Sequence, residues 1–409
     1  MLDPCTGLLF GIIVLIILLY RKIPIWAIFL IVGFIMLLLI GKPYSILDVL
    51  YNVSIDSTTW DLIVIMYLIA VFVSLYRVTG FIDKLGKELI LFLRRPRLIA
   101  MFTPAILGLL PVPGGALMSA PIVDRVGGYI GLDRIRKLFV NVWFRHVIFI
   151  VYPLSTVLIL TSSLTGVDLW SIIVRQVPIA LFMIFIGYVI GFPLKGSSNI
   201  YRFNKVEKPN NKLLVKLLIP MLTAIGLTIT MTRFLDYRYP LPVKRLSMVL
   251  GVSIGIYLLI VLSRIELRKA IRSFIGREAI ELAFIGYTAM FLRNVFQVID
   301  LSCLTSYLST TNPLLITILL PAILSSLVGV VSSGIALSIP ILSSFIEFDV
   351  ETASLIYLSA FLGYLGSPLH LCYIYTAQYL KTTIVKGYKY MIPAILLTMI
   401  ITLIIYSIL

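Results

Sequence analysis

Apolar runs recur from one end of the 409-residue chain to the other, parted by short polar stretches. Runs near the length needed to cross hydrocarbon predict spanning helices at about 7–20, 23–40, 60–79, 136–163, 170–193, 213–232, 246–262, 278–297, 351–380 and 389–409. Two further apolar regions, 98–128 and 313–346, do not read as single spans. The first is interrupted by PVPGG at 111–115 and the second by GVVSSG at 329–334. Proline and glycine packed this closely end a helix, so each region is expected to fold back as a re-entrant hairpin. Arms of about 14 residues give about 21 Å of helix, short of about 30 Å of hydrocarbon. The arm at 314–331 is longer, and its length allows a full crossing.

Composition supports an all-α polytopic membrane protein, since 60% of the residues are hydrophobic. The longest polar stretch, about 194–212, leaves no room for a separate soluble domain and is expected to be a cytoplasmic linker. A net charge of +16 in a soluble chain would point to nucleic acid. In a membrane chain it reports loops facing anionic lipid, so membrane lipids and not nucleic acid are the expected contacts. With ten spans, 26 basic residues fall on one side, five on the other, and three (Arg145, Arg175 and Arg293) within helices. That bias puts the richer side in the cytoplasm of a multi-pass plasma-membrane protein with both termini outside. The first apolar run lacks a basic leader and reads as a retained helix. Cys5, Cys303 and Cys372 are widely separated, with neither metal-ligand spacing nor a disulfide framework.

The two hairpins resemble each other. GGALMSAPIV at 114–123 lies over SGIALSIPIL at 333–342, an offset of 219. One helix earlier, Asp61, Leu62 and Tyr67 meet Glu281, Leu282 and Tyr287 at offset 220. Downstream, YPLS at 152–155 meets SPLH at 367–370 at offset 215. Five spans separate equivalent points, and an odd number turns the second copy upside down. The expected architecture is a 5+5 inverted repeat, with 1–193 as one copy, 213–409 as the other, and hairpins entering from opposite faces. Irregular backbone at membrane depth is tolerated where protein buries it or a cavity receives it.

Five spans plus a hairpin, repeated and inverted, with a proline-broken helix after each hairpin, resembles the ion transporter superfamily of dicarboxylate, citrate, gluconate and arsenite carriers. The PxPGGAxxSAP hairpin is similar to that of an uncharacterised archaeal membrane-protein family near the gluconate permeases. The resemblance implies an elevator mechanism, a homodimer, and a transport domain of about 60–163 plus 278–380 moving against a scaffold made of the rest. It also implies that the basic amphipathic segments 80–97 and 263–277 are interfacial arms, although loops lying on lipid explain their charge equally well. Dicarboxylate carriers of the superfamily place Ser-Asn-Thr at their hairpin tips, whereas this chain has Pro-Gly-Gly and Ser-Ser-Gly.

Candidate substrate residues follow from the breaks. Helix N-termini favour anions, which directs attention to Pro113, Gly114 and Gly115 at the first tip and Ser332, Ser333 and Gly334 at the second. Ser119 and Ser338 lie one turn on, where close helix packing is an equal explanation. Ser367 and Pro368 mark a broken helix. Arg293 and Asn294 sit inside a span, where arginine is costly and presents a fork to carboxylate or phosphate. Arg293, Gln297 and Asp300 share helical spacing, so an Arg293–Asp300 structural pair is the alternative. Arg145 is open to snorkelling. His370, Ser155, Thr156, Gln297 and Asp300 are candidates for coupling, by a proton on His370 or by Na+ on hydroxyls and carbonyls. Asp61 and Glu281 are expected to be helix caps. No cofactor, metal set or nucleophile–base pair reads from the spacing, so an enzyme is not expected. The reading is a secondary active transporter of a small organic or inorganic anion, coupled to H+ or Na+. A polyprenyl-phosphate translocase of the same fold is the alternative and an intramembrane enzyme a more distant one.

Overall fold

A computed structural model describes residues 3–21, 23–93, 95–109, 116–193, 208–236, 241–299, 312–344 and 346–408. Every regular element among them is helical. The first half runs α1 (Pro4–Tyr20), α2 (Ile25–Leu39), α3 (Ser45–Ile55), α4 (Ser57–Val78), α5 (Phe81–Leu93), α6 (Pro96–Gly108), α7 (Ala116–Tyr129), α8 (Arg134–Val147), α9 (Thr156–Thr165) and α10 (Leu169–Gly191). The second runs α11 (Asn211–Asp236), α12 (Leu241–Ser263), α13 (Leu267–Phe274), α14 (Arg277–Val298), α15 (Pro313–Val328), α16 (Val331–Leu342), α17 (Val350–Leu365), α18 (Leu371–Tyr379) and α19 (Ile384–Ile408).

Six helical stretches among the described residues are long and apolar enough to cross a membrane: Ser57–Val78, Leu169–Gly191, Asn211–Thr232, Leu246–Ser263, Leu267–Val298 and Ile384–Ser407. The protein is therefore a membrane-embedded helical protein. The other expected spans differ in form. α1 and α2 have 17 and 15 residues, about 22–26 Å at 1.5 Å each. The expected spans 136–163 and 351–380 are each two short helices with a break, at Val151–Ser155 and Gly366–His370.

The hairpin regions fold back as the sequence indicates. α6 packs on α7, and α15 on α16. Their arms hold 13, 14, 16 and 12 residues, so even the longest, about 24 Å, stops short of about 30 Å. The second tip is tighter than its sequence suggested. Gly329 closes α15 at φ 70° and extended Val330 opens α16. Ser332, Ser333 and Gly334 consequently belong to the first turn of α16, not to the tip. The first tip, with Pro113, Gly114 and Gly115, lies outside the described residues, as do Asp300 and most of the linker at 194–212.

Capping aspartates start several helices: Asp56 for α4, Asp133 for α8, Asp168 for α10 and Asp349 for α17. Each accepts from a backbone N–H that the first turn leaves free. Asp61 is not a cap, because α4 begins four residues before it. Glu281 is not one either; it pairs with Arg277 at 2.7 Å, one turn into α14.

Close approach of backbones holds each hairpin to its broken helix. A methyl group at Gly363 of α17 would overlap the backbone of Ala322 in α15, and one at Gly108 would overlap the carbonyl of Arg145 in α8. Gly363→Ala should thus cost about 1–3 kcal/mol through overpacking. Gly226 of α11 has open space around it, and Gly226→Ala should be neutral or stabilising. Apparent melting temperatures of the two variants in detergent provide the comparison.

Candidate functional site

Two discontinuous helices cross in the middle of the protein. α8 ends in a 3-10 turn at Ile148–Ile150, and the chain then runs through Tyr152, Pro153 and Leu154 to Ser155, which caps α9. α17 ends at Leu365, and Gly366, Ser367 and Pro368 lead to α18. Proline lacks an N–H and disfavours a helical residue before it, which is why both spans break here. α18 packs on α8 and α7, while α9 packs on α17 and α16. The start of one broken helix thus meets the end of the other, twice.

Side chains hydrogen-bond several backbone carbonyls at the breaks and at the hairpin arms beside them. Tyr357 of α17 donates to the carbonyl of Phe149 at 2.9 Å. Ser367 donates to the carbonyl of Ser326 in α15 at 2.6 Å and accepts from the N–H of Leu369. Asn141 of α8 donates to the carbonyl of Ala116, the first residue of α7, at 3.0 Å, and to the hydroxyl of Thr376 in α18 at 3.1 Å. These bonds tie the hairpins to the broken helices where unpaired backbone would be costly.

The chain's only two histidines meet at the first crossing. Nε2 of His146, at the end of α8, stands 3.3 Å from Nε2 of His370, which precedes α18. Nδ1 of His146 bonds the carbonyl of Val142 at 2.6 Å. Tyr364 lies against His370 with ring centroids 4.0 Å apart. Arg145 is 1% exposed and lies close to Cys372. The ligand atoms of His146, His370 and Cys372 all lie within 4.8 Å of one another. Spacing along the chain shows no such grouping; folding brings these three side chains together. Cys372 follows His370 by two residues, and only the crossing adds His146.

The structure redistributes the other candidates. Arg145 does not snorkel; it is among the largest fully buried side chains. Arg293 is half-buried, makes a long 3.5 Å contact to the carbonyl of Ser163, and has Asp56 as a nearby opposite charge. Asn294 bonds its own helix at Met290, and Gln297 is exposed. Arg175 pairs with Glu351 at 3.7 Å and lies over the ring of Tyr406. Ser119 is fully buried and donates to Asn141 at 2.7 Å. Ser338 is also fully buried, over a long contact to Ile335. A methyl group at Gly334 would overlap Ser325 of α15, so this glycine serves hairpin packing. Ser333 is buried and Ser332 half-buried beside it. Thr156 opens α9 half-buried, Ser367 is buried, and Pro368 is exposed.

Ser119→Ala removes one bond of a buried network and should lower stability by about 1 kcal/mol. Asn141→Ala removes the acceptor of Ser119 and the donor to Thr376 and the Ala116 carbonyl together, leaves only Ser119 to Ala116 and Thr376 to Cys372, and should cost about 2–3 kcal/mol. Denaturation of the two variants in one detergent tests this ranking.

No protein of curated function matches the sequence. A family model described as protein of unknown function, DUF401, matches residues 5–409. With nearly the whole chain inside the match, the protein belongs to the DUF401 family.

Proposed function

We propose that the protein is a secondary active transporter of a small organic or inorganic anion, working by elevator-type alternating access and driven by a gradient of H+ or Na+. The observation that carries this reading is the pair of crossed discontinuous helices, each with a hairpin packed against it. Half-helices at membrane depth present N-terminal dipoles and free N–H groups to an anion. Here α7, α9, α16 and α18 all begin around the crossings, and Arg145 is buried beside one of them. Arginine in such surroundings suits a carboxylate or an oxyanion.

An inverted repeat is part of the proposal, and its support extends beyond sequence likeness. Helix order matches between halves, with α1–α4 answering to α11–α14 and α6–α10 to α15–α19. Prolines inside helices recur in step: Pro104 with Pro321, Pro121 with Pro340, and Pro178 with Pro393. Packing is reciprocal as well. α2 lies on α14 while α12 lies on α4, and α10 lies on α17 while α19 lies on α8. This packing favours a moving body of α6–α10 with α15–α19, which starts two helices later in the first half and one later in the second than the transport domain of about 60–163 plus 278–380 inferred from the sequence. α4 and α14 pack together and on α12 and α2, which suits the scaffold.

The test is uptake into proteoliposomes of carboxylates, sugar acids and inorganic oxyanions, under H+ or Na+ gradients, with ligand-induced thermal shifts in parallel. One anion should be taken up and should raise the melting temperature. Arg145→Lys keeps the charge but loses the planar fork and should lower the affinity at least about tenfold, roughly 1.4 kcal/mol. Folded protein that neither binds nor moves any anion overturns the proposal. A shift with short-chain polyprenyl phosphate alone replaces it with lipid-phosphate translocation.

A further inference from the structure

We infer that His146, His370 and Cys372 form a binding site for a d10 transition-metal ion, Zn(II) or Cu(I), that fastens the two broken helices together at their crossing. The inference is independent of the transport reading, since a protein that moves no anion would still bind the ion.

The first argument is distance. Two nitrogens at about 2.0–2.1 Å from one tetrahedral ion stand about 3.3–3.4 Å apart. The two Nε2 atoms are 3.3 Å apart. The Cys372 sulfur, within 4.8 Å of both, completes the set by closing to about 3.6 Å, the separation that Zn–S and Zn–N bonds of about 2.3 and 2.0 Å imply. A side-chain movement of about 1 Å is sufficient.

The second argument is orientation. Nδ1–H of His146 donates to the Val142 carbonyl at 2.6 Å, which leaves Nε2 with its lone pair directed at the partner ring. A backbone carbonyl on the far nitrogen is the usual way a metal-binding imidazole is aimed. Without metal, His370 must donate Nε2–H to His146. With metal, its proton moves to Nδ1, a buried nitrogen that makes no other hydrogen bond in the present geometry. The Cys372 thiol proton leaves to solvent, and the metal–sulfur bond takes its place. Arg145, which lies close to this sulfur, can donate to the metal-bound thiolate.

The third argument is donor chemistry. Two imidazoles and one thiolate suit soft and borderline ions and disfavour Mg2+ or Ca2+. All three side chains are at most 5% exposed, and the Tyr364 ring covers His370. Such burial suits an ion held for structure, with α8 supplying one ligand and the segment 370–372 the other two.

The experiment uses full-length protein with its affinity tag removed, so that no other histidine is present. Metal-depleted protein is titrated with Zn(II), with Cu(I), and with Co(II) as a spectroscopic stand-in. The expected result is one equivalent of Zn(II) or Cu(I) per chain, a raised melting temperature, and a thiolate-to-cobalt charge-transfer band. Cys372→Ser, a near-isosteric change, should abolish that band and weaken binding at least tenfold while the protein stays folded. His370→Asn should weaken binding similarly and leave a cobalt–sulfur signal of altered shape. Failure of wild-type protein to take up either ion stoichiometrically overturns the inference. Uptake that is unchanged in both variants overturns it as well.

Discussion

Everything in the centre of this protein depends on one constraint: backbone freed from a helix in apolar surroundings must find a partner. Breaking two long helices releases carbonyl and N–H groups far from any loop. The partners come from elsewhere in the chain. Tyr357 reaches the Phe149 carbonyl, Ser367 bridges Ser326 and Leu369, and Asn141 holds the first carbonyl of α7. Apart from the local bond of Leu369 to Ser367, these bonds cross between elements, so the breaks that weaken individual helices also help fix the hairpins against them.

Glycine works toward the same end from the packing side. Gly363 and Gly108 bring hairpin backbones onto α17 and α8 more closely than any side chain would allow. Close contact with many short-range neighbours replaces the hydrophobic drive that is absent between helices in lipid. The two mechanisms act on the same hairpins: glycine contacts join α6 to α8 and α15 to α17, and hydrogen bonds join α7 to α8 and the break after α17 to α15. A substitution at either level would therefore be felt as a displaced hairpin.

Much of the backbone plan was legible in the sequence, because it rests on local signals. Pro and Gly clusters marked the fold-back at Gly329 and the breaks at Pro153 and Pro368, and the apolar runs located the spans. The short helix α3 escaped notice because its 11 residues are too few to read as a span and only Val49 and Val53, one turn apart, are buried. Side-chain roles were read less well. Ser119 and Gly334 look like binding residues beside glycine-rich turns but are consumed by packing. Arg293 drew attention as a charge in a span, while the more deeply buried Arg145 was the one drawn into a polar cluster. The cluster itself spans positions 145–372 and forms only when α8 meets α18. No periodicity or spacing encodes that meeting; it follows from the tertiary crossing.

The two crossings share a backbone scheme but not a chemistry. Where α8 meets α18, His146, His370, Cys372 and Arg145 gather. Where α17 meets α9, the positions aligned with His146 and His370 are Phe361 and Ser155, and Tyr357 to the Phe149 carbonyl is the principal polar bond. One crossing is rich in nitrogen and sulfur donors; the other is aromatic and hydroxylic. Under the proposed inverted repeat, an ancestral half-length chain that paired with its own copy would have had two equal crossings. Such an assembly could change both only together. Joining the halves in one polypeptide removes that restriction, and each crossing becomes free to acquire its own ligand preference, giving the interior a direction that its architecture alone lacks.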